Sequence, residues 1–133
     1  MKFIQQRHFQ FHPLVRNLTP FGFFDYNCLQ MNSLVVLSDS GTLSEESAML
    51  GFCGVLIRTS TERPEVLDKG TVVIGGITQK SVEQAAELAI AMQRAGEPRA
   101  MPADYEDTNV SVKVVKLIQS YTPIVNQTVW LKR

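Results

Sequence analysis

The chain is poor in the residues that most often carry chemistry outright. It has two cysteines in 133 residues, Cys28 and Cys53, with no CxxC spacing. That pattern excludes a disulfide scaffold and a zinc ribbon, and it fits reduced thiols in a cytoplasm. It has two histidines, His8 and His12, both near the start. They stand four apart, like a helical metal pair, but Pro13 follows and no third ligand accompanies them, so no metal site is expected. A Ser/His/Asp triad has no histidine beyond residue 12 to draw on. No excess of charge exists either: 13 Lys+Arg balance 13 Asp+Glu. A nucleic-acid binder or an anionic-membrane binder needs a basic surplus, so neither partner is expected. No apolar run approaches the length of a membrane span, and residues 1–8 lack the apolar stretch of a signal peptide. Internal repeats and low-complexity tracts are missing as well.

What is present is ordinary globular composition, 44% hydrophobic and 20% charged, enough for one core of moderate size. Short unbroken apolar runs occur at Leu34–Leu37, Val55–Ile57 and Thr71–Ile74. Such β-branched runs suit strands buried on both faces, as in a parallel sheet. Helical patterns lie between them. Phe23–Met31 and Thr42–Leu50 are two. Ser81–Ala95 is the clearest, with Ser81 as N-cap and Gly96 as the glycine past its end. Arg58–Gly70 is highly charged and closes on a short helix that begins at Pro64. A last helix runs from about Thr108 to Ser120, where Pro123 stops or kinks it. With a first strand near Leu14–Leu18 the sheet would have four strands. The expected class is α/β, a parallel sheet with flanking helices. Residues 1–13 read as irregular. The pattern alone leaves two options open: half of something larger, or a compact small domain.

Strand Leu34–Leu37 runs into Ser38-Asp39-Ser40-Gly41 and then a helix start. A small-residue turn at the carboxyl end of a parallel strand presents backbone N–H groups and the positive end of a helix dipole. Ser40 adds a hydroxyl, and Gly41 allows close approach of a ligand. Phosphate binding is one reading. The other is a well-capped turn, in which Thr42-Leu43-Ser44-Glu45 forms a capping box. Glu46 either complements the dipole or accepts hydrogen bonds from a vicinal diol. Arg58 follows a strand end and could neutralise a phosphate, as could Arg63; otherwise both belong to a solvated, internally paired loop. Phe21, Phe23, Phe24 and Tyr26 form either a slot for a base or core contacts under a loop.

Several blocks, in order, carry a resemblance. Ser38-Asp39-Ser40-Gly41-Thr42-Leu43-Ser44-Glu45-Glu46-Ser47 is followed by Leu50-Gly51. Then come Arg58-Thr59-Ser60-Thr61-Glu62-Arg63-Pro64-Glu65 and Gly70-Thr71. Together they resemble the non-hydrolysing UDP-N-acetylglucosamine 2-epimerases, with their DSGG-x-x-EE and TERPE motifs, from about Phe11 to the end. Pro20 to Asn27 and Asp107 to Trp130 look like the branch that forms UDP-N-acetyl-L-fucosamine for capsule or O-antigen. The resemblance implies a partial Rossmann-like second domain of a two-domain, glycosyltransferase-B-like fold. On that reading residues 1–133 are a single truncated C-terminal nucleotide-binding domain. It also implies elimination of UDP to a glycal and re-addition with C2 inverted. Ser40 and Gly41 match the β-phosphate contacts, and Glu46 matches the glutamate on the ribose hydroxyls. Arg58 and Arg63 match motif arginines, and Phe24 falls in the uracil region. Thr42 replaces a frequent second glycine. The family's proton-moving acids belong to the first domain, so no catalytic residue is assigned here and the chain alone is expected to be inactive. The implied partners are UDP or a UDP-N-acetyl-aminosugar, the missing N-terminal domain, and further copies of the chain; no cofactor is implied. A non-catalytic nucleotide-sugar-binding module and a fragment of a UDP-sugar glycosyltransferase are the alternatives.

Overall fold

A computed structural model describes residues 10–132. The elements are α1 (Phe23–Met31), β1 (Val36–Ser38), α2 (Thr42–Leu50), β2 (Gly54–Leu56), α3 (Pro64–Asp68), β3 (Val72–Ile74), α4 (Gln79–Ala95) and α5 (Val110–Thr128). A single 3₁₀ turn, Ala103–Tyr105, precedes α5. The three strands form a parallel sheet in the order β1-β2-β3, with Val36, Gly54 and Val72 in register. The expected α/β class, a parallel sheet with flanking helices, is the one seen.

Alternation along the strands splits the core in two. On one face Leu56 and Val72 pack with Leu43 of α2 and Val66 of α3, joined by Phe52. On the other, Cys53 and Val55 pack with Ala85 and Ala89 of α4. Helices α2 and α3 share a face, as successive same-handed crossovers moving one way across a sheet require. The central strand β2 is buried throughout, which accounts for its lack of any polar position. Of two buried serines, Ser47 ties the layers. The Ser47 hydroxyl lies 2.7 Å from the Phe52 carbonyl and 2.8 Å from the Thr71 carbonyl. The Ser44 hydroxyl is equally buried and has no partner.

Four expectations need correction. Leu14–Leu18 is not a strand: Leu14 and Leu18 are exposed, and among the described residues no strand pairs with the segment. The sheet therefore has three strands, and β1 starts two residues later than the run Leu34–Leu37 suggested. Helix α4 is capped by Thr78, whose hydroxyl accepts from the Ser81 amide; Ser81 lies inside the first turn. Gly96 does end that helix, in the left-handed conformation. Finally, α5 runs through Pro123 to Thr128. A proline removes one amide from the ladder, and the ladder resumes on its far side.

Helix α5 buries none of its residues. Val110, Val112, Val114, Val115, Leu117 and Ile118 are all exposed. No helix among the described residues is long and apolar enough to cross a membrane.

Candidate anion site at the carboxyl end of the sheet

The three strand ends meet at one edge. The Ile57 amide reaches the Ser38 carbonyl, and the Gly75 amide reaches the Leu56 carbonyl. Beyond β1 the chain turns through Asp39-Ser40-Gly41 into α2. The Ser38 hydroxyl accepts from the Ser40 amide at 3.0 Å, which tightens the turn. The Ser40 and Thr42 hydroxyls lie 2.9 Å apart. Gly41 is the N-cap, and no side chain caps the helix. The capping box is therefore absent: Thr42 turns to Ser40, and Glu45 turns elsewhere. The first turn of α2 has no side-chain cap; its Leu43 and Ser44 amides turn back to the Ser40 and Gly41 carbonyls, at 3.3 and 3.2 Å, so an anion at this helix start would face the amides that precede them.

Glu45 turns to Arg63, whose Nε donates to Glu45 Oε1. Both side chains are about one-third exposed, at 30% and 31%. The carboxylate raises the guanidinium above its ordinary value, mainly through that hydrogen bond. Arg63 also lies against Gly41: a Cβ there would meet Nη1 at 2.8 Å. So the fold brings Ser40, Gly41 and Arg63 to one place.

The other candidates sit around this group. Arg58 forms a two-pronged pair with Glu62, at 3.2 and 3.0 Å. Glu62 Oε2 is in turn 3.8 Å from Arg63 Nη1. Its own backbone amide and Arg58 hold the Glu62 carboxyl below the usual carboxylate range. The rim thus alternates in sign: Glu45, Arg63, Glu62, Arg58. Arg58 also borders an open cavity of about 550 Å³ with Gly75, Gly76 and Ser81. Glu46 accepts from Gln30 Nε2 at 2.8 Å, which ties α1 to α2. Phe24 is 85% exposed, and its ring meets Phe23 edge-on. Neither ring lines the cleft between α1 and β1, whose walls include Phe21, Tyr26 and Gln30.

Sequence reasoning passed over Gln30 and Tyr105. Gln30 reads as an ordinary helix position, yet it is buried. Tyr105 donates its hydroxyl to Glu65 at 2.6 Å and pins the 3₁₀ turn to α3. That bond holds the Glu65 carboxyl below its usual range. Burial, with help from Glu65, pushes the Tyr105 phenol up. No group of three histidine, cysteine or acidic side chains suited to a metal occurs among the described residues, and His8 lies outside them. The His12 ring accepts from the Leu14 amide at 3.3 Å.

Residues 2–119 match the family model described as UDP-N-acetylglucosamine 2-epimerase. The chain belongs to that family. Among solved structures, the UDP-N-acetylglucosamine 2-epimerase from Rickettsia bellii is similar, at 37% identity and a TM-score of 0.73. That match covers 88% of this chain and 32% of the Rickettsia epimerase. The Neisseria meningitidis epimerase, solved bound to UDP-GlcNAc, is similar at 27% identity and a TM-score of 0.59, over 77% of this chain and 28% of its own. The Methanococcus maripaludis epimerase is 30% identical over 81 residues, 61% of this chain and 22% of its own length. The chain thus spans less than a third of the length of these epimerases.

Proposed function

We propose that this chain is the UDP-holding portion of an enzyme that inverts C2 of a UDP-N-acetyl-aminosugar. The observation that carries the reading is the Arg63 guanidinium lying against Gly41 at the open N-terminus of α2. There a diphosphate would meet backbone amides, the Ser40 hydroxyl and a fixed cation together. In the proposed reaction the C2 proton leaves and the C1–O bond breaks. Its electron pair goes to the β-phosphate oxygen of UDP, and a glycal is left. The C2–H pair becomes the C1=C2 double bond of the glycal. In the return step a proton adds to the opposite face of C2 and the UDP β-phosphate oxygen bonds again to C1, which gives the inverted sugar. The developing charge falls on the phosphate, which is where this chain offers positive charge. Glu46 would accept the ribose hydroxyls, with Gln30 steadying one of its oxygens. Arg58 would face the phosphates from the open cavity it borders, and the exposed Phe24 ring would stack on the base from outside the α1–β1 cleft.

Proton transfer at C2 is assigned to the first domain that epimerases of this family would supply, so the chain alone is inactive. Its pathway is surface-polysaccharide synthesis in the cytoplasm, in the N-acetyl-L-fucosamine branch, and the working enzyme is a homo-oligomer. The test is a titration of the chain with UDP, with ATP as control, followed by amide NMR. UDP should shift the Ser40, Gly41 and Thr42 amides, ATP should not, and Glu46→Ala should weaken the response. A folded sample that ignores UDP would refute the reading.

A further inference from the structure

Gly41 has φ −61° and ψ −32°, a conformation any residue adopts. Its missing side chain is therefore not a backbone requirement. The space a Cβ would fill is occupied: Arg63 Nη1 would stand 2.8 Å from it, Cζ 3.4 Å and Nη2 3.6 Å. The guanidinium lies across the first turn of α2. Its far edge, Nε, is tied to Glu45 on the same helix. Glu45 spends one carboxylate oxygen on that bond, and its other oxygen is shielded from solvent with no partner. A half-satisfied carboxylate is costly, and in a purely structural role it would not be favoured.

We propose that Glu45 is a positioning residue for the diphosphate, acting through Arg63. It fixes Nε, so that the two Nη groups are directed over Gly41, and Gly41 leaves the room for them. The inference rests on the reading of this turn as a UDP site. It adds a role to the first glutamate of the pair, whereas Glu46 is assigned to the ribose.

An opposite reading exists. A carboxylate beside an arginine could simply compete with phosphate for it. The two readings give opposite signs for Glu45→Gln, which removes the charge and keeps the shape. If Glu45 positions Arg63, the variant should bind UDP about tenfold more weakly, the size of one charge-assisted hydrogen bond. If it competes, the variant should bind UDP more tightly.

The experiment is calorimetric titration of the full chain with UDP and with uridine. Positioning predicts a loss for UDP with uridine affinity unchanged, since uridine has no phosphate; general damage to the fold would weaken both. Glu45→Gln should add nothing in an Arg63→Gln background, because the glutamate would have no cation left to hold. Gly41→Ala perturbs the same guanidinium from the other side and should reproduce the UDP-selective loss, so the test survives if Glu45→Gln folds poorly. Tighter UDP binding, equal losses for UDP and uridine, or additive effects with Arg63→Gln would each overturn the inference. Unchanged UDP binding by Glu45→Gln overturns it while leaving the site intact. No UDP binding by the wild-type chain overturns the site, and this inference falls with it.

Discussion

Gly54 opens the central strand, and replacing it with alanine tests the packing directly. The added Cβ would stand 2.9 Å from Val72 Cγ1 and 3.4 Å from both Leu43 Cγ and Cδ2. Carbon atoms prefer about 3.5–4.0 Å, so one contact is too close by well over half an ångström. Val72 and Leu43 are buried core residues and have little room to retreat. Overpacking of this kind costs about 1–3 kcal/mol. Against that, alanine restricts the unfolded chain and returns roughly 0.4–1 kcal/mol. A net loss of about 1–2 kcal/mol is expected for Gly54→Ala. The assay is urea unfolding by far-ultraviolet circular dichroism at matched chain concentration, with an unchanged slope as the check on two-state behaviour. Val72→Ala removes the clashing methyl. In that background Gly54→Ala should cost less than about 0.5 kcal/mol, a coupling of at least about 0.5 kcal/mol. If Gly54→Ala is as stable as wild type, or costs as much beside Ala at position 72, the stated contact is not what makes glycine necessary.

Other expectations concern polar groups and assembly. Ser47→Ala removes the one hydroxyl proton shared between the Phe52 and Thr71 carbonyls and should cost about 1–3 kcal/mol, whereas Ser44→Ala removes a buried hydroxyl with no partner and should be neutral or stabilising. Equal effects on the unfolding midpoint would contradict that contrast. Tyr105→Phe should cost about 1 kcal/mol by losing the bond to Glu65. Because the folded phenol titrates above its unfolded value, wild-type stability should fall as pH rises past about 10, and the variant should lose that alkaline slope. Glu65 is shifted the other way, so its contribution is present at neutral pH and fades on acidification through the carboxylate range. The exposed apolar rows of α5 should make the chain self-associate at tens of micromolar, and Val115→Lys with Ile118→Lys should reduce this in light scattering. A clean wild-type monomer would refute it.

The alternation of strands and helices was legible because each βα unit is local: an apolar run, a turn, and a periodic stripe. The stops at Gly70 and Gly96 were legible for the same reason, since both occupy positive-φ positions. The Ser40–Gly41 turn could be picked out from its place between a strand and a helix. Its geometry could not. Thr42 and Glu45 have the spacing of a capping box, but Arg63, 18 residues beyond Glu45, outbids the local amide for the carboxylate. The Glu46–Gln30 bond spans 16 residues and leaves no periodic trace. Leu14–Leu18 misled because strand character depends on a neighbour that a run of side chains does not reveal. Thr78 and Ser81 are both competent caps, and only the backbone decides between them.

Helix α5 gives the molecule an internal gauge. None of its 19 residues is buried, so tertiary packing adds little to the protection that a lone helix gives its amides. The amides of β2 open only when the sheet itself does. Hydrogen exchange on the isolated chain should therefore separate into a slow class and a fast class, with α5 in the fast one. Any slowing there would report, residue by residue, how much of that apolar row has been covered and by how strong a contact, before the covering molecule has been identified.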